Sequence, residues 1–271
     1  MNKNEFLLIT PELLKLAKKT GQYQMEYHKK TVKFKVKDDK TPVTEIDINS
    51  SNMIKNILQK IIPGVPVISE EDQPTTNNAD YFWIIDPLDG TKNYLKGNDH
   101  FCINIALISN KEPILGLIYS PKFNLAFTGF KDYKATKHIH KEGNFSNIEI
   151  KTGKVSPEEK VIVYTSSSIP TDTYKKLENQ FNNIEINTIS SALKFGYIAC
   201  GQGSFYPRLG PTYEWDTAAG QCIIEAAGGL VVDKFMKRLS YNKNPGYLNG
   251  EFFVIGDPLY DWSKIVSLIT S

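Results

Sequence analysis

Three cysteines in 271 residues are too few, and wrongly spaced, for a disulfide framework. Cys102, Cys200 and Cys222 are odd in number and contain no CxxC pair, so they read as buried thiols in a reducing compartment. No apolar run approaches the ~18 residues of a membrane-span candidate. The segment Met1-Asn2-Lys3-Asn4-Glu5 leads into only a short apolar patch without a small-residue cleavage site, so no signal peptide is expected and a cytoplasmic protein is the default. Neither charge sign dominates: 32 basic residues face 30 acidic ones, which removes the bulk signature of a nucleic-acid polymer or a membrane surface as partner. Several motifs are missing as well. There is no GxxxxGK[ST] and no useful GxGxxG, no GxSxG elbow surrounds Ser166–Ser168, and no His/Cys set has zinc spacing.

What is present is an ordinary globular composition with enough length for one large domain or two small ones. Thr10-Pro11 resembles an N-cap with proline at the first helical position, followed by a stripe of Leu13, Leu16, Thr20, Tyr23 and Tyr27. A second helix is expected over 45–62, stopped by Pro63-Gly64. Strands are expected at 65–69, at 81–86 ending on Asp86, and as a pair at 101–108 and 113–120. From about 130 to 160 the chain turns polar, which predicts a boundary or a large surface excursion. His138 and His140 fall inside it and are expected in a solvated loop, whereas His100, just before a strand, reads as structural. Beyond that region strands (160–167, 185–189, 204–208, 230–233, 252–256) mix with helices (172–181, 191–201, 216–227, 258–270). The class is therefore α/β or α+β, divided into halves 1–155 and 156–271 that form one compact catalytic unit.

The acidic residues carry the functional signal. Glu70 and Asp86 each sit at the end of an expected strand, and Asp216 sits at the expected start of a helix. Ends of adjacent strands lie side by side, so these carboxylates can converge with Asp47 and Asp89. Converging carboxylates repel unless protonated, exposed or neutralised, and hard divalent cations with oxygen ligands, Mg²⁺ or Mn²⁺, suit them best. Each stretch also has an ordinary reading: Asp86-Pro87-Leu88-Asp89-Gly90 as a turn, Glu70-Glu71-Asp72 as a solvated loop, and Asp216 as an N-cap. The spacing DxxDGT, rather than DxDGT, argues against an aspartyl-phosphate mechanism. The basic-acidic run Lys37-Asp38-Asp39-Lys40 reads as a solvated loop.

Taken together, Asp47 in "PVTEID", Glu70-Glu71 in "SEED", "WIIDPLDGT" and "EWDTAAG" resemble the lithium-sensitive, magnesium-dependent phosphatase superfamily that includes the inositol monophosphatases. "SEEDQP", "SSALKF" and "YPRLGPTYEWDTAAG" are most similar to its CysQ-type 3′(2′),5′-bisphosphate nucleotidases. One departure is Gly250 in "YLNGEF", where that family has proline. The resemblance implies a layered α/β/α/β/α sandwich with two sheets. It implies that Glu70, Asp86 and the Leu88 carbonyl hold one Mg²⁺, and that Asp86, Asp89 and Asp216 hold a second. Thr91, supported by Asp47, would position and deprotonate the attacking water. Substrate contacts would come from Glu70, Leu88, Asp89, Gly90, Thr91 and Asp216, with Ser191, Lys194 and Arg208 near a second phosphate. Ser191 and Lys194 are expected on one side of a helix start. Tyr206 and Tyr213 can offer a face to adenine or serve as core or surface tyrosines. The implied substrate is a small nucleotide bisphosphate, with inositol or sugar phosphates as the alternative. The family also makes the 37–40 loop a lid near the site and leaves peripheral inner-membrane attachment open, as it does the oligomeric state.

Overall fold

The computed structural model describes residues 1–36, 42–72, 79–156, 158–166, 170–242 and 246–270. The Lys37–Lys40 run, most of the loop expected after Asp72, and Ser167 and Ser168 lie outside the described residues. In chain order the elements are α1 (Lys3–Tyr27), β1 (Phe34–Val36), β2 (Pro42–Thr44), α2 (Glu45–Ile61), β3 (Val67–Ser69), β4 (Tyr81–Asp89) and α3 (Thr91–Leu95). Then follow β5 (Cys102–Ser109), β6 (Glu112–Ser120), β7 (Leu125–Phe130), β8 (Lys134–Lys141), β9 (Asn144–Ile150), β10 (Val161–Thr165), α4 (Thr171–Glu178), β11 (Ile184–Thr188) and α5 (Leu193–Ala199). The chain closes with β12 (Phe205–Arg208), β13 (Thr212–Tyr213), α6 (Glu214–Ala226), β14 (Leu230–Asp233), β15 (Leu248–Asn249), β16 (Phe252–Ile255) and α7 (Ser263–Thr270).

Two sheets organise these elements. Strands β3 to β9 form a seven-stranded sheet in sequential order, antiparallel except for the parallel β3–β4 pair. The second sheet is mixed, in the order β11-β10-β12-β16-β14. Strand periodicity sorts the core into layers. Trp83 and Ile85 face Leu13 of α1 and Ile54 and Leu58 of α2. Phe82 and Ile84 face the opposite way, into a central core that also holds Leu193 of α5, Ile223 of α6 and Val254 of β16. On β16 the alternation repeats: Phe253 and Ile255 pack outward against Leu177 of α4, Trp262 just before the final helix, and Val266 within it. The result is the expected α/β/α/β/α stack, with α5 and α6 as the buried middle layer.

Several elements depart from the sequence reading. Helix α1 starts well before Thr10, because Asn2 caps it: its Oδ1 accepts from the Asn4 and Glu5 amides, and Glu5 returns a bond to the Asn2 amide at 2.7 Å. Pro11 is therefore internal, and the Thr10 hydroxyl donates to the Phe6 carbonyl at 2.7 Å, one turn back. The buried stripe runs through Leu13, Leu16 and Thr20 as expected but then passes to Gln24, leaving Tyr27 exposed. Strand β4 does not stop at Asp86. It runs on through Pro87 and Leu88 to Asp89, with a bulge that shifts the β5 register from Asp86↔Asn104 to Asp89↔Cys102.

The polar region after 130 is no excursion. Strands β8 and β9 extend the large sheet, joined by a tight turn at Glu142 and Gly143, both at positive φ (48° and 89°). As the edge strand, β9 is largely exposed, and its polar composition reflects an open face rather than a loop. His138 is accordingly buried, with one ring nitrogen bonded to the Thr128 hydroxyl at 2.8 Å and the other to Asn147 Oδ1 at 2.7 Å. Burial holds its imidazole below the usual histidine range, which marks a neutral structural group. His140 bonds instead to the Lys18 ammonium at 2.7 Å, so the pair does not form a metal site.

Candidate active site

The bulge in β4 builds the floor of the site. Asp86 is 2% exposed, and its Oδ1 accepts from the Leu88 amide at 2.9 Å. The Pro87 carbonyl points into the protein, where Gln24 Nε2 donates to it at 2.7 Å. The Leu88 carbonyl instead lies 3.1 Å from the Thr91 hydroxyl. Gly90 turns the chain with φ 97°, a left-handed value that suits glycine, and a side chain there would press on the His100 carbonyl. Helix α3 starts at once, with the Gly90 carbonyl accepting from the Asn93 and Tyr94 amides.

Three other elements bring their carboxylates to this floor. Thr44 caps α2, accepting from the Ile46 and Asp47 amides, while Asp47 Oδ2 takes the Thr44 amide at 2.8 Å. That box orients the other oxygen of Asp47, which receives the Thr91 hydroxyl at 2.9 Å. Glu70 follows β3 directly, and its amide donates to the Ile85 carbonyl at 3.1 Å, tying it to β4. Asp216 is not the N-cap of α6. It sits three residues inside, where Oδ2 accepts the Tyr213 amide at 2.8 Å.

Glu70, Asp86 and Asp216 thereby offer oxygens that all lie within 4.8 Å of one another. Burial, then the neighbouring Glu70, Asp89 and Asp216 charges, push the Asp86 carboxyl well above the usual carboxylate range. Asp216 is raised in the same way, by burial first and by Asp89 and Glu70 next. Asp89 stands beside the trio, its Oδ2 accepting from the Ala192 amide and, at 3.4 Å, from Asn104 Nδ2. Burial raises Asp89 too, with Lys194 pulling against it.

A cavity of about 680 Å³ opens over this cluster, and Lys92, Lys194 and Arg208 are among its lining residues. Ser191, expected on the helix, stands before α5 at φ 68°, so it does not share a helical face with Lys194. Lys194 is 2% exposed; its ammonium donates to the Ile189 and Ser191 carbonyls at 2.9 and 2.6 Å and lies over the Tyr206 ring at 4.8 Å. Burial pushes that ammonium down to about 8, against the attraction of Asp89. Tyr206 is thus a buried support bonded to the Ser166 hydroxyl at 2.8 Å, rather than a free face for adenine. Arg208 reaches back to the Gly210 and Pro211 carbonyls at 3.1 and 3.0 Å. Tyr213 and Trp215, stacked 4.9 Å apart, line the cavity together with Leu248.

Known proteins are similar to this chain in sequence and fold. The model of the inositol monophosphatase family matches residues 9–252. The chain belongs to the inositol monophosphatase family. It is 36% identical to a 3′(2′),5′-bisphosphate nucleotidase CysQ of Buchnera aphidicola, over 89% of this chain and 91% of that protein. The namesake protein of Escherichia coli K12 is 35% identical over 90% of this chain and 98% of its own. Among solved structures, a Thermotoga maritima IMPase superposes with a TM-score of 0.77 at 26% identity, covering 96% of each chain. CysQ from Bacteroides thetaiotaomicron gives 0.74 at 29% identity, covering 89% of this chain and 94% of that one.

Metal dependence is general in the inositol monophosphatase family, and the residues of this member fit it. The donor set is all oxygen, as hard divalent cations require. Raised proton affinity at Asp86 and Asp216 means that the protein's own cations do not neutralise the cluster. Two contributors were missed in the sequence. Asn104, the β5 partner of Asp86, was visible as a lone polar residue in the apolar run "FCINIALI". Ser166, weighed in the sequence only as a hydrolase serine, lines the cavity beside its Tyr206 partner. The departure at Gly250 is local: a side chain there would meet no atom within 4 Å.

Proposed function

We propose that this chain is a Mg²⁺-dependent phosphomonoesterase that removes the 3′-phosphate of adenosine 3′,5′-bisphosphate, giving AMP and inorganic phosphate. The observation that carries the reading is one cavity with an oxygen-only carboxylate trio on its floor and the cations Lys194 and Arg208 among its lining residues. The names of the 34–36% identical relatives support the same substrate class.

Glu70, Asp86, the Leu88 carbonyl, Asp89 and Asp216 would hold the ions, two per site, with Mn²⁺ able to replace Mg²⁺. When bound, such ions neutralise the phosphate dianion, acidify water and stabilise the leaving oxygen. The chain's own part is to aim and to move a proton. The Thr91 hydroxyl gives its hydrogen to Asp47, so its remaining lone pairs face outward and can accept from a water. As the water oxygen bonds to phosphorus and the bond from phosphorus to the ester oxygen breaks, the water's proton passes to Thr91, whose own proton goes to Asp47. The 3′-oxygen leaves with the bonding pair and takes a proton from solvent. Amides at Gly90 and Thr91 open α3 without helical acceptors and can bond phosphate oxygens. Ser191, Arg208 and the ammonium hydrogen of Lys194 left over from its two carbonyls would receive the 5′-phosphate.

A second reading, hydrolysis of inositol or sugar phosphates, keeps every carboxylate and differs only in the use of Lys194 and Arg208. Phosphate release with Mg²⁺, with and without lithium, separates the two. The substrates to compare are adenosine 3′,5′-bisphosphate, its 5′-phosphosulfate analogue, inositol 1-phosphate and fructose 1,6-bisphosphate. The proposal expects the nucleotides to be turned over with much higher kcat/KM. Preference for inositol 1-phosphate or fructose 1,6-bisphosphate would replace it with the second reading.

A further inference from the structure

Gln24 lies at the inner end of α1, fully buried beneath the β4 bulge, and no part of the proposed reaction uses it. It joins four elements. Its side-chain amide donates to the Pro87 carbonyl of β4 at 2.7 Å and to the Ser50 hydroxyl of α2 at 3.1 Å. Its backbone carbonyl accepts the Tyr94 hydroxyl of α3 at 2.6 Å. A proline carbonyl can only accept, so the amide nitrogen must face Pro87, and the orientation of the Gln24 amide is fixed by chemistry. The consequence is that Oε1 is buried with no hydrogen-bond partner among the described residues. Burying that acceptor costs free energy that leucine or methionine would not incur.

What the amide secures is a single peptide plane. The Pro87 carbonyl and the Leu88 amide belong to the same rigid unit. Gln24 holds the carbonyl end, and Asp86 Oδ1 takes the amide end at 2.9 Å. The next carbonyl, that of Leu88, lies on the Thr91 side, 3.1 Å from that hydroxyl, so the peptide held by Gln24 leads directly into it. We infer that Gln24 is a positioning residue: through the Pro87–Leu88 peptide it sets the Asp86 carboxylate and the Leu88 carbonyl in their metal-facing orientation. This rests on the assignment of Asp86 and Leu88 as metal ligands.

The test is calorimetric titration of the full chain with Mg²⁺ or Mn²⁺, alongside thermal melts without metal. Gln24→Leu should weaken ion binding by about tenfold, the effect of losing one well-formed hydrogen bond (a tenfold change for each 1.4 kcal/mol). Its metal-free Tm should stay close to that of the unmodified chain, because removing the orphaned Oε1 offsets the loss of the donor to the Pro87 carbonyl. Gln24→Met, unbranched and without donors, should behave alike and serves if the leucine variant does not fold. Ser50→Ala, which spares the Pro87 bond, should bind ions normally. Ion affinity within twofold of normal in the Gln24 variants, or an equal loss in Ser50→Ala, overturns the role of Gln24. Failure of the unmodified chain to bind ions at all overturns instead the metal-ligand assignment on which the inference rests.

Discussion

At the scale of single residues, Lys194 is the most informative side chain. Its ammonium serves two masters, the backbone of 189–191 and the cavity, and only the second concerns substrate. Lys194→Met keeps the bulk but loses the charge. If the cation meets the second phosphate, KM for adenosine 3′,5′-bisphosphate should rise about tenfold or more while a 3′-monophosphate is little affected, since one charged hydrogen bond is worth about 1.5–3 kcal/mol. Equal effects on both substrates would reduce Lys194 to a loop support. Because burial pushes its ionisation down to about 8, the charge is present below that pH and lost above it. The bisphosphate KM of the unmodified enzyme should therefore climb on the alkaline side of 8, and that of the methionine variant should not. Asp86 offers the opposite contrast. Asp86→Asn removes one charge from a repelling, buried cluster, so the metal-free protein should melt higher while turnover falls by several orders of magnitude. Calorimetry and an initial-rate assay on the same preparation check both halves.

Element scale is where α6 matters. It crosses the middle layer close against β6, and a Cβ at Gly116 would come within 2.3 Å of the Ala219 carbonyl. Gly116→Ala must displace the helix that carries Asp216. We expect a loss of about 1–3 kcal/mol in stability, the usual cost of overpacking, together with weakened metal binding. Urea melts and a Mg²⁺ titration of activity measure the pair, and a stability loss with unchanged Mg²⁺ dependence would break the link between helix position and Asp216. How legible these elements were in the sequence follows from the same physics. Short apolar runs revealed β4, β5, β6 and β16, and the Pro63-Gly64 stop marked the end of α2. Edge strand β9 escaped because an open face carries no alternation, and the true start of α1 escaped because Thr10-Pro11 imitates a cap while Asn2 supplies one. The acidic residues were legible through motif spacing, and the convergence expected from strand ends holds for Glu70, Asp86 and Asp216. What spacing could not give is the route, since Asp216 reaches Asp86 from inside α6, through the stacking of the layers. Nor could spacing reveal that Ser191 stands outside α5, which depends on one left-handed residue.

For the molecule as a whole, the raised carboxyls set a pH dependence of stability. A carboxyl whose pKa is raised by folding favours the folded state while protonated. That contribution is complete below the unfolded value of about 4 and is lost as pH rises through the folded one. Asp86 and Asp216 both act in this sense. Without metal, the protein should therefore melt higher at about pH 5.5 than at about pH 7.5. Saturating Mg²⁺ should raise the second Tm more than the first, because cations compete with protons for the same oxygens. A metal-free Tm that climbs between these two pH values would contradict the buried, uncompensated state of the cluster.

The large sheet ends at Ile150 and the second begins at Val161, and we keep the division near residue 155 as a proposal. Helix α6 ignores it, for its small residues pack on strands of the first sheet while its chain neighbours build the second. A chain severed between the sheets would thus yield two incomplete pieces, one holding Asp86 and the other Asp216. Neither could process phosphate alone, and turnover would return only on reunion. Fused to two interacting proteins, such fragments would become a complementation reporter, in which released phosphate counts encounters between their passengers.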